Sequence, residues 1–331
     1  MTKLFLGIEI GGTKLQIGIG TGDASPLAGL WRETVEPKLG AEQIRRQIVR
    51  GTNELIVRTG IAREQIPGAG IGFGGPVDAK SGITITSHQV PGWDSFPIVD
   101  WASRELALFA TLHNDADTAA LAEAQFGAGR GFDPVLYVTV GSGIGGGLIV
   151  GGNIFRGSGA GALEIGHLLP GKSPRHGACD DMSVEAIASG FGIEQRARRC
   201  IADREETLYA AAAPHARLLE LAENDAEKIT TQFIARAAAE GNTFCRELLA
   251  DATEALGWAL GQAITLINPA RIVIGGGVSL IGEDLFFAPL RRTCHAATFH
   301  SFADVADIVP ASLGEEVVVH GAIALAAMND S

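Results

Sequence analysis

Twice in this chain a short apolar run stops at a cluster of glycines and a second apolar run starts at once; no other feature restricts the possible folds as much. Leu4–Ile8 ends at Glu9, the turn is Gly11-Gly12-Thr13-Lys14, and Leu15–Ile19 returns. Val135–Val140 leads into Gly141-Ser142-Gly143-Ile144-Gly145-Gly146-Gly147, and Leu148–Val150 returns. Each is the pattern of a β-hairpin. The same device about half a chain apart predicts an internal duplication, two lobes of similar fold that each offer a glycine turn to a shared cleft. The 331 residues are enough for two such domains with cores of their own.

Between the hairpins, Ala69–Phe73 reads as a strand leading into Gly74-Gly75-Pro76-Val77-Asp78, and Leu108–Leu112 as a strand leading into His113-Asn114-Asp115. Ala116–Phe126 is rich in Ala, Leu and Glu and predicts a helix with Asp115 as its cap. Strand followed by helix implies a parallel α/β sheet, whose ligands sit beyond the carboxyl ends of its strands. Phe244–Ile267 spaces Leu249, Ala252, Leu256, Ala259, Ala263 and Ile267 as one buried helical face, and Asn268-Pro269 ends it. Arg271–Ile274 is then a strand running into Gly275-Gly276-Gly277, and the charged, Ala-rich stretch 201–240 is expected to be helical.

Composition excludes several function classes. A formal net charge of −12 with no Lys/Arg run repels a phosphate backbone, so nucleic acid is not an expected partner. Cys179, Cys200, Cys245 and Cys294 lie far apart with no paired spacing, which fits a reducing cytosol and neither a disulfide framework nor a four-thiolate metal site. No stretch approaches the roughly 20 apolar residues of a membrane span, and the first residues lack a leader's cleavage site.

Glycine turns after strands let backbone N–H groups approach phosphate oxygens, and three of them in one chain suggest a triphosphate cradle. Neither the lysine-terminated phosphate loop nor the dinucleotide fingerprint is present. In order along the chain stand Glu9-Ile10-Gly11-Gly12-Thr13-Lys14, Gly74-Gly75-Pro76-Val77-Asp78, Pro91-Gly92-Trp93, Asn114-Asp115-Ala116-Asp117, the Gly141–Gly147 turn, Glu164-Ile165-Gly166-His167 and Gly275-Gly276-Gly277. As an ordered set spanning nearly the whole chain they resemble the ROK family of bacterial sugar kinases and repressors. The resemblance implies an α/β fold of two actin-like (ribonuclease H-like) lobes with a cleft between them. Residues 1–115 would form the smaller lobe and 116–331 the larger, with the C-terminal helix packing back on the smaller. It further implies hexose phosphorylation, glucose by default, with ATP and Mg2+, a cytoplasmic location and a homodimer.

Residue by residue, the resemblance makes Asp115 the catalytic base, which suits phosphoryl transfer, where alignment and charge neutralisation dominate and one carboxylate takes the hydroxyl proton. It places Gly75, Asn114, Asp115, Glu164, His167 and Glu185 on the sugar, whose neutral hydroxyls must be fixed by many directional bonds. Gln89, ahead of Pro91-Gly92-Trp93, is a candidate for the choice of sugar. Gly11, Gly12, Thr13, Lys14, Gly141, Ser142, Gly143, Gly276 and Gly277 fall on the nucleotide, and Glu9 on magnesium.

Two departures stand out. The family opens its first turn with Asp, and this chain has the longer Glu9. Within Lys172–Ser183, where the family's kinases supply three cysteines for a structural zinc shared with the Gly-His histidine, the matching positions are His176, Ala178 and Ser183. At most His167, His176, Cys179 and Asp180 or Asp181 could substitute, so structural zinc is not expected. Three other functions compete. A DNA-binding repressor would need a further domain, for which no room is expected before the first glycine turn. A catalytically weakened sugar sensor or regulator would keep the sugar contacts, and a coupled assay of ADP release separates it from a kinase. An actin-like ATPase acting on proteins would not need the Asn-Asp pair.

Overall fold

The computed structural model describes residues 3–87, 89–158, 161–171, 182–205 and 215–329. The amino-terminal part runs β1 (Phe5–Ile10), β2 (Lys14–Gly20), β3 (Gly29–Thr34), α1 (Gly40–Thr59), β4 (Gly68–Phe73), the short pair β5 (Val77–Asp78) and β6 (Ile83–Thr84), α2 (Ile98–Leu106), β7 (Phe109–Asn114) and α3 (Asp115–Phe126). Next come β8 (Val135–Val140), β9 (Ile144–Val150) and β10 (Asn153–Ile154), then the helices α4 (Val184–Ala188), α5 (Gly190–Glu205), α6 (Ala216–Leu221), α7 (Thr231–Ala239) and α8 (Thr243–Ile267). The chain closes with β11 (Arg271–Gly275), α9 (Ala288–Ala297), β12 (Asp307–Pro310) and α10 (Val317–Met328).

The predicted duplication is present in the topology. One five-stranded sheet has the order β3-β2-β1-β4-β7 and the other β10-β9-β8-β11-β12. Renumbered within each half, both read 3-2-1-4-5. In the first sheet the meander β1–β2–β3 is antiparallel, and β4 and β7 add parallel to β1. By compactness the chain divides into one unit of Met1–Tyr137, Gly147–Leu163 and Ala311–Ser331, and another of Val138–Gly146 and Glu164–Pro310.

In the first unit β1, β2 and β4 are buried along nearly their whole length, as strands covered on both faces must be. One face packs on α1 through Ile44, Ile48 and Leu55, and the other on α10. α10 is apolar on nearly every side, His320 excepted, as suits a helix between the sheet and α3. Its approach is set by glycines. A Cβ on Gly70 would run into the Ala322 carbonyl, one on Gly7 would come within 2.5 Å of the Val319 carbonyl, and one on Gly321 would run into the Thr118 carbonyl of α3. The helix can therefore lie backbone against backbone on the sheet.

In the second unit α8 matches its predicted span. Asn242 caps it by accepting from the Cys245 N–H at 3.0 Å, and Asn268 ends it at φ 51°, a left-handed conformation asparagine tolerates, directly before Pro269. One boundary differs from the sequence reading. The returning strand β9 begins at Ile144, so Gly145–Gly147 lie in the strand and not in the turn. A side chain at Gly147 would press on the Ala116 carbonyl and Asp117 Cα of α3, so glycine here serves a close contact between elements. Among the described residues no helix is long and apolar enough to cross a membrane.

Candidate active site

The register of the first sheet aligns three strand ends. Ile10 of β1 lies beside Phe73 of β4, and Phe73 beside Asn114 of β7. The segments that follow, Gly11–Thr13, Gly74-Gly75 and Asp115, therefore leave the sheet at one carboxyl edge, where parallel sheets present their ligands. The Gly74 N–H donates to the Ile10 carbonyl at 2.8 Å, and the Gly11 N–H to the Lys14 carbonyl at 2.9 Å. The Gln89 side chain lies directly over Gly12, in the space a Cβ there would need.

Glu9 lies one residue before the end of β1 and is buried. Its Oε2 accepts from Gln16 Nε2 at 2.6 Å and its Oε1 pairs with Lys14 Nζ at 3.1 Å. Burial pushes its carboxyl above the usual range, against the pull of Lys14 and Gln16. Gln16 is fully buried and also donates to the Glu315 carbonyl at 2.9 Å. The sequence reading did not single it out, although the hairpin register, in which Glu9 faces Gln16, was available to it.

The helix cap differs from expectation. β7 runs into α3 without a loop, and Asn114, extended at φ −64° and ψ 149°, is the cap: its Oδ1 accepts from the Ala116 and Asp117 N–H groups at 2.9 and 3.3 Å. A cap must have non-helical backbone, and Asp115 is already the first helical residue. Asn114 Nδ2 donates to the Gly75 carbonyl at 3.0 Å and lies 3.5 Å from that of Phe73, tying the glycine turn to the helix start. Asp115 Oδ1 accepts from the Ala116 N–H at 2.8 Å, while Oδ2 is turned toward the Gly74 turn, 3.3 Å from where a Cβ on Gly74 would stand, with Gly11 Cα beyond. Burial, with the Glu9 charge adding to it, pushes this carboxyl up to about 6.

Two carboxylates of like charge at one corner suit a small divalent cation. Magnesium in particular needs only one or two carboxylates if phosphates and water complete its shell. Glu9 and Asp115 fit that requirement.

The second unit carries the remaining candidates. The Gly141 N–H donates to the Gly143 carbonyl at 2.9 Å, and the Gly141 carbonyl accepts from the Gly190 N–H at 2.8 Å, so the tip of the turn, with Ser142 exposed, is anchored at the start of α5. Glu185 Oε2 accepts from the Ile144 N–H at 2.7 Å and fills the space beside Gly143. Gly166 packs on the Ile144 carbonyl and the Glu185 side chain, which brings the Glu164–His167 segment to the same turn. Glu164 and His167 are themselves largely exposed, their nearest charged atoms 4.0 Å apart. Gly276, at φ 85°, stands against Val140, whose carbonyl a Cβ would approach to 2.5 Å, and Gly277 begins the short 3-10 turn after β11. Among the described residues no group of three or more His, Cys, Asp or Glu is placed to hold a metal. His176, Ala178, Cys179, Asp180 and Asp181, which bear on zinc, lie outside the described residues.

Comparison with known proteins sets these residues in a family. The chain is 29% identical over 327 residues to the glucokinase of Thermotoga maritima, with 98% of each chain covered. It is 25% identical over 301 residues to the xylose repressor of Caldicellulosiruptor bescii, covering 89% of this chain and 72% of the repressor. Its structure superimposes on that of a ROK family glucokinase from Streptomyces griseus, solved in complex with glucose and AMPPNP, with a TM-score of 0.80, 27% identity and coverage of 98% and 99%. The duplicated sheet order is this chain's form of the actin-like ATPase fold that such sugar kinases share. The ROK family profile matches residues 5–329, and with fold, ordered motifs and relatives in agreement the chain belongs to the ROK family.

Proposed function

We propose that this chain, an ATP-dependent hexose kinase, transfers the terminal phosphoryl group of ATP to the 6-hydroxyl of glucose or a closely related hexose, with Asp115 as the base. One observation carries the assignment: the half-buried Asp115 carboxylate stands at the common carboxyl edge of β1, β4 and β7 with one oxygen held by the helix and the other turned to the glycine turns. The oxygen turned to the turns takes the hydroxyl proton as the sugar oxygen bonds to phosphorus and the bond to ADP breaks. A pKa of about 6 leaves the group ionised at neutral pH yet basic enough to accept that proton late in the transfer.

Asn114 positions the Gly75 turn and the helix start. Its longer contact, to Phe73, is the one to exchange for a sugar hydroxyl. Glu164, His167 and the remaining oxygen of Glu185 complete the proposed sugar contacts. Gly11–Lys14, Gly141–Gly143 and Gly276-Gly277 offer their backbone N–H groups and the Lys14 ammonium to the phosphates. Magnesium, held by Glu9 and Asp115 with the nucleotide, would supply charge neutralisation on the phosphates. Homodimer formation and a cytoplasmic location remain part of the proposal by analogy with the family.

The test is ADP release measured over glucose, mannose, fructose and N-acetylated hexosamines, with and without magnesium. Turnover on at least one hexose, dependent on the metal, is the expected result, whereas sugar binding without ADP release would favour the sensor reading. Two substitutions separate the ligands. His167→Ala is expected to raise the KM for sugar about tenfold with little change for ATP, and an unchanged sugar KM would remove it from the site. Gly276→Ala, which forces a Cβ into the Val140 backbone at a left-handed φ, is expected to raise the KM for ATP at least about tenfold while the sugar KM holds.

A further inference from the structure

A cavity lies in the first unit on the edge of its sheet, away from the glycine turns. Its volume is about 550 Å³, within the range of small-molecule sites. β7 forms its floor. As the edge strand it contributes Phe109 to His113 to the lining, while the next residue, Asn114, caps α3 and reaches Gly75.

The polar lining is cationic. Arg156 Nη2 lies 2.6 Å from His113 Nδ1 and 3.3 Å from Nε2, a contact in which the guanidinium donates to the ring nitrogen that carries no proton. Burial and the Arg156 charge push His113 down to about 3, so at neutral pH it is uncharged and the Arg156 charge is uncompensated by it. Lys80 adds a second cation from the rim, and among the described lining residues there is no carboxylate. The nearby Asp78 turns Oδ1 to the backbone N–H groups of Lys80 and Ser81, at 3.0 and 3.2 Å. Among the described residues Arg156 Nε and Thr111 Oγ1 are buried without a hydrogen-bond partner, a costly state for a charged donor. In a chain of net charge −12, a guanidinium and an ammonium at one concave site, with the exposed Asp78 beside Lys80 as the carboxylate near them, are a feature to be explained. Val99, Leu112, Leu121 and Leu325 add apolar surface to the lining.

We infer that this cavity is a binding site for a small phosphate monoester with an apolar body, held by Arg156, Lys80 and Thr111. A guanidinium and an ammonium together match the charge and three terminal oxygens of a phosphate monoester better than the two oxygens of a carboxylate. The volume exceeds what inorganic phosphate alone would fill. The inference is independent of the role given to Asp115.

Calorimetric titration of the full chain with phenyl phosphate, and separately with inorganic phosphate, tests it. Phenyl phosphate is expected to bind with a Kd of order 1 mM or tighter, and inorganic phosphate more weakly. Lys80→Glu, an exposed change that leaves the fold intact, and Arg156→Met are each expected to weaken phenyl phosphate at least about tenfold. Asp115→Asn is expected to leave it unchanged. Phenyl phosphate failing to bind, binding equally to parent and Lys80→Glu, or losing affinity in Asp115→Asn would each overturn the site.

Discussion

Gly70→Ala is expected to destabilise the protein by about 3 kcal/mol or more, seen as a melting temperature roughly 6 °C or more below the parent's. The added methyl would enter the Ala322 carbonyl of α10, a backbone atom that no side-chain rotation can clear. The sheet and α10 must then separate, and with them α3, which rests on α10 where Gly321 meets Thr118. Because Asp115 is the first residue of α3, the same change should lower turnover, so thermal unfolding and ADP release report one displacement by two readouts. Gly161→Ala, where a Cβ meets nothing, is the control and should leave melting within about 0.5 kcal/mol of the parent. Equal melting of Gly70→Ala and Gly161→Ala would show that α10 does not pack as described.

Asp115→Asn has the largest expected effect on activity and an opposite one on stability. Removing the proposed base should reduce kcat about 10³-fold, the usual worth of a positioned proton acceptor, with sugar affinity nearly kept. For stability the sign follows from the raised carboxyl. The folded chain holds the Asp115 proton up to about pH 6, whereas the unfolded chain releases it near pH 3.8, so stability falls as pH rises between these values and is lower by up to about 3 kcal/mol above them. Asparagine removes that loss. The variant should therefore melt above the parent at pH 7.5 and close to it at pH 3.5, and a variant less stable than the parent at pH 7.5 would contradict the environment assigned to Asp115. A functional group that costs the fold stability is what a site under catalytic demand is expected to show.

Much of this was legible in the sequence because the decisive signals are local. The hairpin at Gly11–Lys14, the Gly74-Gly75 turn, the Asn114-Asp115 pair and the span of α8 depend on turn chemistry and periodicity within a few residues, and they stand in the structure where they were read. What was not legible depends on distant partners. Gly7, Gly18, Gly70 and Gly72 look like weaknesses inside strands until α10, about 250 to 310 residues further along, is laid on them. The start of β9 at Ile144 was hidden because three glycines in a row resemble a turn, and only the approach of α3 to Gly147 explains them. Asn114 displaced Asp115 as the cap because the strand runs two residues further than its apolar pattern and the helix starts one residue earlier, and no composition signal marks that. Gln16 needed the hairpin register to be followed across to Glu9.

The most direct test of the account is a single-turnover measurement of ADP formation by the parent and by Asp115→Asn, each saturated with glucose and magnesium-ATP at pH 7.5, with glucose binding followed calorimetrically on the same samples. The account predicts a chemical step slowed about 10³-fold in a variant that still binds glucose within a fewfold of the parent. A variant that forms ADP at the parent's rate would show that the proton goes elsewhere and would remove Asp115 from the chemistry.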